Sequence, residues 1–174
     1  MRSIVLSAAL LLGSASLASA GPDDFGPGQL IPGYGRIAPV PQAAPLPADT
    51  HFKLAIDVVD GGEDGEVNRR FVTAASFLNL QHAAGIPVAN IDIALVVHGP
   101  AYRDLLTDAA YGGSNPNAEL IDILRGHGVR FLYCGQSAVY RDVGADDLLP
   151  GIELSPSATT AHVLLQQQGY ALRP

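Results

Sequence analysis

The single cysteine of this 174-residue chain, Cys134, is the side chain with the most reactive chemistry. It follows the apolar run 129–133 and precedes Gly135, Gln136 and Ser137, an order that predicts a strand leading directly into a helix. A thiol at the start of a helix lies near free backbone amides and the positive end of the helix dipole, which both favour the thiolate. Glycine at 135 would let the backbone approach a bound sulfur group closely. The pattern indicates a nucleophilic thiol suited to sulfur transfer.

The same cysteine has a structural interpretation of equal weight. Free cysteine is among the residue types most often buried, where it packs as a small hydrophobic side chain. Because there is one cysteine, an internal disulfide is excluded. Cys134 is therefore a buried core residue, a bridge to another chain, a metal ligand or a reactive thiol.

His98 is the second candidate, because it ends another apolar run and is followed by Gly99 and Pro100. In open parallel sheets, ligands bind beyond the carboxyl ends of the strands. His98 would act as a base or orienting group for Cys134 only if the two strand ends are neighbours. A histidine in such a turn more often bonds local backbone groups. A soft-metal site of His98 and Cys134 is a further alternative, although two ligands are too few for a closed site.

Strands and helices are predicted to alternate along the chain. Apolar runs predict strands at residues 52–58, 91–97, 129–133, 151–154 and 170–173. Helices are predicted at 66–84, 102–111, from Asn117 to the glycine at 126, at 136–143 and at 157–168. Strands separated by helices of this length favour right-handed crossovers and a parallel sheet. The expected fold is a three-layer α/β/α sandwich with a mainly parallel sheet of about five strands, over residues 51–174.

The N-terminal third differs in composition from the rest of the chain. Arg2, the apolar run 4–12 and Ala18-Ser19-Ala20 are typical of a secretory signal peptide cleaved after Ala20, which predicts a periplasmic or otherwise exported protein. The run is too short to span a bilayer, so no stable membrane insertion is expected after cleavage. Residues 21–50 hold seven of the 13 prolines and are predicted to form a Pro/Gly-rich disordered linker.

Charge and missing motifs exclude several functions. The net charge of −7 disfavours binding to nucleic acid and to anionic lipid. The sequence contains no phosphate-binding Gly-Lys loop, no Gly-x-Ser-x-Gly motif and no histidine pair at zinc spacing. No cofactor and no metal are therefore predicted.

Five segments taken together resemble the DsrE/DsrF-like family. They are 96–100 (Val-Val-His-Gly-Pro), 115–120 (Asn-Pro-Asn-Ala-Glu-Leu), 128–129 (Gly-Val), 134–137 (Cys-Gly-Gln-Ser) and 166–170 (Gln-Gln-Gln-Gly-Tyr). The resemblance implies a flavodoxin-like subunit that assembles into trimers or hexamers. It also implies that Cys134 carries sulfur as a persulfide in relay to partner proteins. His98, Asn117 and Gln136 match recurring family positions, of which Asn117 and Gln136, with Gly135, are expected to contact the substrate.

Two functional hypotheses follow from these observations. The first is a periplasmic sulfur carrier or sulfurtransferase in which Cys134 and His98 do the chemistry, with donor and acceptor proteins as partners. The second is a non-catalytic, oligomeric module of the same fold that binds a small molecule or a protein and has a structural Cys134. Labelling of the native thiol would separate the two.

Overall fold

The computed structural model describes residues 21–174 and contains one sheet of five parallel strands. The signal peptide predicted at residues 1–20 lies outside the described residues. The strands are β1 (Phe52–Val58), β2 (Ile91–Val97), β3 (Arg130–Cys134), β4 (Glu153–Ser155) and β5 (Ala171–Arg173). Their order across the sheet is β4-β3-β2-β1-β5. All neighbouring pairs are parallel, so every strand ends at the same edge of the sheet.

Helices cover both faces of the sheet and make the three-layer α/β sandwich that the sequence predicts. The helices are α1 (Arg69–Ala83), α2 (Asp108–Tyr111), α3 (Ala118–Gly126), α4 (Gly135–Arg141) and α5 (Ala158–Gln167). One core contains buried side chains of α1, α3 and α4, with Phe71 packed edge-to-face on Phe131 at a centroid distance of 5.3 Å. The opposite core is smaller and contains Ala161 and Leu165 of α5. Alternate residues of the central strands point into the two cores, as the period of a strand requires.

The predicted strands at 52–58 and 91–97 are confirmed at both ends, whereas the helix predicted at 102–111 is divided. Its first part is a 3-10 helix, Gly99–Leu105, and its second part is α2. Leu106 between them is extended, with φ −79° and ψ 147°. The side chain of Thr107 then accepts a hydrogen bond from the amide of Ala110 at 3.4 Å, so a new helix begins there.

Residues 26–37, here called the N-terminal strap, pack against α1, unlike the disordered linker expected over 21–50. Gly26 and Ile37 form an antiparallel bridge, and Ile31 is buried with 1% exposure. The buried side chain of Asn79 accepts a hydrogen bond from the Ile31 amide at 2.8 Å. It donates to the carbonyls of Ile31, Tyr34 and Gly35 at 2.9 to 3.1 Å. One amide side chain therefore satisfies four backbone groups of a segment that makes few regular hydrogen bonds of its own.

Glycine at position 35 allows the close approach of the strap to α1. Gly35 has φ +66°, and a Cβ atom there would lie 2.3 Å from the backbone nitrogen of Ser76. A larger residue would combine an unfavourable backbone conformation with a direct clash. Gly35, one of the glycines that make residues 21–50 resemble a flexible linker, is thus needed for packing.

Tyr133 gives a stability prediction, because its side chain is fully buried and its hydroxyl has no hydrogen-bond partner among residues 21–174. Burial raises the pKa of Tyr133 to about 12. We expect Tyr133→Phe to increase the free energy of unfolding by about 1 kcal/mol, since it removes an unsatisfied buried polar group. Urea unfolding measures the change, and Tyr140→Phe, at a side chain that is 84% exposed, is the control. A lower stability of Tyr133→Phe would show that the hydroxyl has a partner in solution.

Candidate functional site

Cys134 is the last residue of β3 and the residue immediately before α4. It pairs in register with Ser155 of β4, and its exposure is 6%. The thiol thus lies at the carboxyl edge of the sheet, where ligands bind in parallel α/β folds. The prediction of a strand that leads through Cys134 into a helix is confirmed, with the strand beginning and ending one residue later than expected.

Opposing effects act on the ionisation of the Cys134 thiol. Burial alone would raise the pKa, because a charged sulfur loses hydration. The nearby backbone amides of Ser137, Ala158 and Gln136 and the Ser137 hydroxyl together outweigh burial and hold the pKa of Cys134 below its ordinary value. These donors come from the starts of two helices, α4 and α5. The site therefore stabilises a thiolate.

Gly135 and Gln136 follow Cys134 as the first two residues of α4 and make different contacts. A Cβ atom on Gly135 would lie 2.8 Å from the carbonyl oxygen of Ser155, so glycine lets the start of α4 approach the end of β4. The exposed side chain of Gln136 donates to the carbonyl of Pro156 at 3.5 Å. Both residues lie beside Cys134, and the Gln136 backbone is the part that contacts the sulfur.

His98 lies next to Cys134 across the edge of the sheet. Its amide donates to the carbonyl of Val58 at 3.0 Å, and its backbone is extended with φ −155°. Val97 pairs with Tyr133 in the β2–β3 ladder, so the next residues, His98 and Cys134, continue the same register on strands about 4.8 Å apart. The adjacent amide of Gly99 donates to the Ser137 hydroxyl at 3.3 Å. The strand-end adjacency that a role for His98 requires is present.

Two further residues, Asp57 and His162, complete this part of the site. Oδ1 of Asp57 on β1 lies 3.0 Å from Nε2 of His98 and 2.8 Å from Nε2 of His162 on α5. The three side chains are between 15% and 29% exposed. The sheet edge thus presents a thiol, two imidazoles and a carboxylate from the ends of three neighbouring strands and from α5.

The sequence analysis missed Asp57 and His162 because they are separated by 105 positions. A signal for His162 existed in the helical spacing of α5. Ala158, Ala161, His162 and Leu165 form one stripe, and Ala161 and Leu165 are buried on the sheet. A histidine within the inner stripe of a helix needs a polar partner on the surface beneath it, and Asp57 is that partner.

The DsrE/DsrF-like family model matches residues 53–172, which is more than half of the chain and contains every residue of this site. The chain belongs to the DsrE/DsrF-like family. The DsrE-like domain therefore spans nearly all of the sheet and helices, whereas the N-terminal strap lies outside it.

The chain is also similar to solved structures of two other proteins. The chain is similar to MTH1491 of Methanobacterium thermoautotrophicum, a protein of unknown function, with a TM-score of 0.54 and 21% identity. It is also similar to the ychN protein of E. coli, with a TM-score of 0.49 and 16% identity. Each alignment covers 70% of this chain and 97% of the other. The first likeness supports the flavodoxin-like α/β fold. Among curated protein sequences there is no significant match.

Asn117 lies elsewhere in the DsrE-like domain than expected. It has no exposed surface, its Oδ1 accepts from the amide of Asn68 at 2.7 Å, and its own amide donates to Oδ1 of Asn115 at 2.9 Å. Asn68 in turn caps α1 through the amide of Arg70. Asn117 thus ties the start of α3 to the start of α1, and its expected role in substrate binding stays a prediction.

Among residues 21–174, no three histidine, cysteine, aspartate or glutamate side chains are grouped so as to hold a metal ion. No helix within the same residues is long and apolar enough to cross a membrane. The chemistry available at the site is that of a thiol, imidazoles and a carboxylate.

The lowered pKa of Cys134 predicts the pH dependence of its alkylation. Because the thiolate is the reactive form, the reaction with iodoacetamide should reach half its maximal rate at a lower pH in the native protein than in urea. We expect Ser137→Ala to move the native midpoint upward, since it removes the hydroxyl donor. Equal midpoints in native and unfolded protein would contradict the hydrogen-bonded thiolate.

Proposed function

We propose that this DsrE-like protein is a periplasmic sulfur carrier that holds sulfane sulfur as a persulfide on Cys134 and passes it to partner proteins. Membership of the DsrE/DsrF-like family supports a sulfur-relay type of function. The export part of the proposal is supported by the sequence of residues 1–20 alone. The chemical part is supported by the surroundings of Cys134.

The observation that carries the proposal is the position of Cys134 at the carboxyl edge of the sheet and the start of α4, where nearby backbone amides lower the pKa of its thiol. Amides of Gln136, Ser137 and Ala158 act on one buried sulfur and favour its anionic form. A purely structural cysteine in an apolar core would have a raised pKa and no such donors. A persulfide is also an anion at neutral pH, and the same amides would stabilise it.

Loading is a transfer of one neutral sulfur atom between thiols. The Cys134 thiolate attacks the outer sulfur of a donor persulfide, R–S–SH, forming a new S–S bond while the S–S bond of the donor breaks. The donor leaves as a thiolate and takes up one proton to become R–SH. Cys134 ends as Cys–S–SH, and delivery to an acceptor thiol is the same reaction in reverse. No external oxidant or reductant is needed.

The direct test is the intact mass of the mature protein after exposure to polysulfide. A native protein that gains about 32 Da per sulfur atom, and loses the gain on reduction, supports the proposal. A gain that occurs only in the unfolded protein would contradict it. N-terminal sequencing of protein from the periplasmic fraction tests cleavage after Ala20, and an intact Met1 would contradict export.

A second candidate function is favoured by the low exposure of Cys134 together with exposed apolar side chains. Val139 and Tyr140 on α4 are 82% and 84% exposed, and Leu154 on the edge strand β4 is 56% exposed. These residues suit a homo-oligomer, as a trimer or hexamer, or a partner protein. In this alternative Cys134 is structural, and its labelling would require denaturant. Light scattering of the purified protein measures the oligomeric state in either case.

A further inference from the structure

Helix α1 has a second stripe of side chains besides the one that fills the core. Four residues spaced i, i+3, i+4 and i+7 lie along one side of the helix: Thr73, Ser76, Phe77 and Leu80. Phe77 is half-buried and packs edge-to-face on Phe52 at a centroid distance of 5.4 Å, whereas Leu80 is 42% exposed. This side of α1 is therefore partly apolar and is not fully covered by the core.

A groove of about 410 Å³ lies between this side of α1, the N-terminal strap and β5, and is here called the strap groove. Its opposite wall consists of Phe25, Ile37 and Val40, from the strap and the residues beside it. Phe25 and Val40 are 48% and 60% exposed, so large apolar side chains line the groove without being covered. Small-molecule sites typically have volumes of about 300 to 1,000 Å³ and mainly apolar walls, and the strap groove has both properties.

Two arginines, Arg36 and Arg173, line the same groove. The guanidinium of Arg36 donates to the carbonyl of Phe25, which holds it beside the apolar wall. Arg173 of β5 pairs in register with Ile56 of β1, whose side chain lies in the core on the α1 side. Because residues that pair in register share a face of the sheet, the Arg173 side chain also points toward α1. The two cations thus reach the groove from opposite elements.

The charge of the strap groove is opposite to that of the whole chain. The sequence has 17 acidic and ten basic residues, yet within residues 21–174 no aspartate or glutamate lines this groove. Neither Arg36 nor Arg173 makes an ion pair with a carboxylate of those residues. A guanidinium binds a carboxylate in a planar, two-point arrangement. Apolar walls beside two such groups suit a ligand with an anionic head and an apolar tail.

From this arrangement we propose that the strap groove binds a free fatty acid, with its carboxylate at Arg36 and Arg173 and its single alkyl chain on Phe77 and Leu80. The volume is too small for the two acyl chains of a phospholipid. β5 and β3 are separated by two strands, about 14 Å, so the groove is distinct from the site at Cys134. The inference is independent of the proposed sulfur chemistry.

Isothermal titration calorimetry of the mature protein with dodecanoate, below its micelle concentration, tests the proposal. Decanoate should bind about tenfold more weakly, because two fewer methylenes are buried. Arg173→Gln should weaken dodecanoate binding about tenfold by removing a charge-assisted contact, and Leu80→Gln should weaken it through the tail. Arg141→Gln, the same charge change at an exposed arginine of α4, is the matched control and should bind like wild type.

Trypsin gives a second measurement, because the ligand would hold the strap against α1. At a dodecanoate concentration ten times the Kd, the open population of the strap and the rate of cleavage after Arg36 should fall about tenfold. Hydrolysis of a small chromogenic substrate in the same solution measures any effect on trypsin itself.

Three results would overturn the proposal. The first is equal binding of dodecanoate and dodecyltrimethylammonium, which has the same tail and the opposite charge. The second is wild-type affinity in a folded Arg173→Gln, a variant whose arginine has no contact with the strap carbonyls. The third is no dodecanoate binding together with self-association that Leu80→Gln abolishes, which would assign the groove to a second copy of the chain.

Discussion

Cys134→Ser is expected to abolish the gain of sulfur mass from polysulfide while leaving the fold intact. The hydroxyl is similar in size to the thiol and can accept the same amides of Gln136, Ser137 and Ala158. It does not ionise near neutral pH and cannot form a persulfide, so no residual loading should remain. Intact mass spectrometry after identical exposure measures the difference.

The controls for Cys134→Ser follow from its being the one cysteine in the sequence. Any sulfur that remains on the variant after desalting is adsorbed rather than bound to a thiol, and it sets the background of the assay. Thermal unfolding of both proteins shows whether the fold is retained. Reducible sulfur on a folded Cys134→Ser variant, at the wild-type level, would show that the carrier mechanism is wrong.

Asn79→Ala is expected to release the N-terminal strap from α1. The substitution leaves one amide and three carbonyls of the strap without their partner. If the lost hydrogen bonds are worth about 1 kcal/mol each and some carbonyls find water, the cost is about 3 kcal/mol. A loss of that size raises the open population of the strap about 100-fold.

Trypsin provides the measurement for Asn79→Ala, because Arg36 lies in the strap and is exposed. When the strap opens and closes faster than it is cut, cleavage after Arg36 follows the open population and should accelerate in the variant. Gln166→Ala, an exposed amide on α5, is the matched control and should be cut like wild type. Unchanged cleavage of Asn79→Ala would show that the strap does not depend on this side chain.

The strands at the centre of the sheet could be predicted because each one is a run of consecutive apolar residues. β2 has six buried residues in a run of seven, and such a run is typical of a strand covered on both faces. The position of Cys134 at a strand-to-helix junction was predictable for the same reason. The divided helix after His98 was not, since one extended residue at Leu106 interrupts an otherwise helical pattern.

The strap and the Asp57 cluster depend on partners far away in the sequence. Composition alone predicts disorder for a Pro/Gly-rich segment, but Asn79 supplies from α1 the hydrogen bonds that the segment cannot make internally. Likewise Asp57 and His162 meet only because α5 lies in the crossover from β4 at one edge of the sheet to β5 at the other. Asn117, by contrast, matches a recurring family position, but its buried side chain joins the start of α3 to the start of α1.

Helix α5 contributes both to the surroundings of Cys134 and to the contact with Asp57, so a movement of this helix affects both. The amide of its first residue, Ala158, helps to lower the pKa of the Cys134 thiol, and His162, about one turn later, contacts Asp57. A small shift of this helix would weaken both contacts at once, lowering thiolate stability and loosening His98 together. The outer side of α5 presents Val163 and Leu164, each nearly half exposed. A neighbouring molecule that binds to that outer side and shifts α5 would thus change the stability of the Cys134 thiolate.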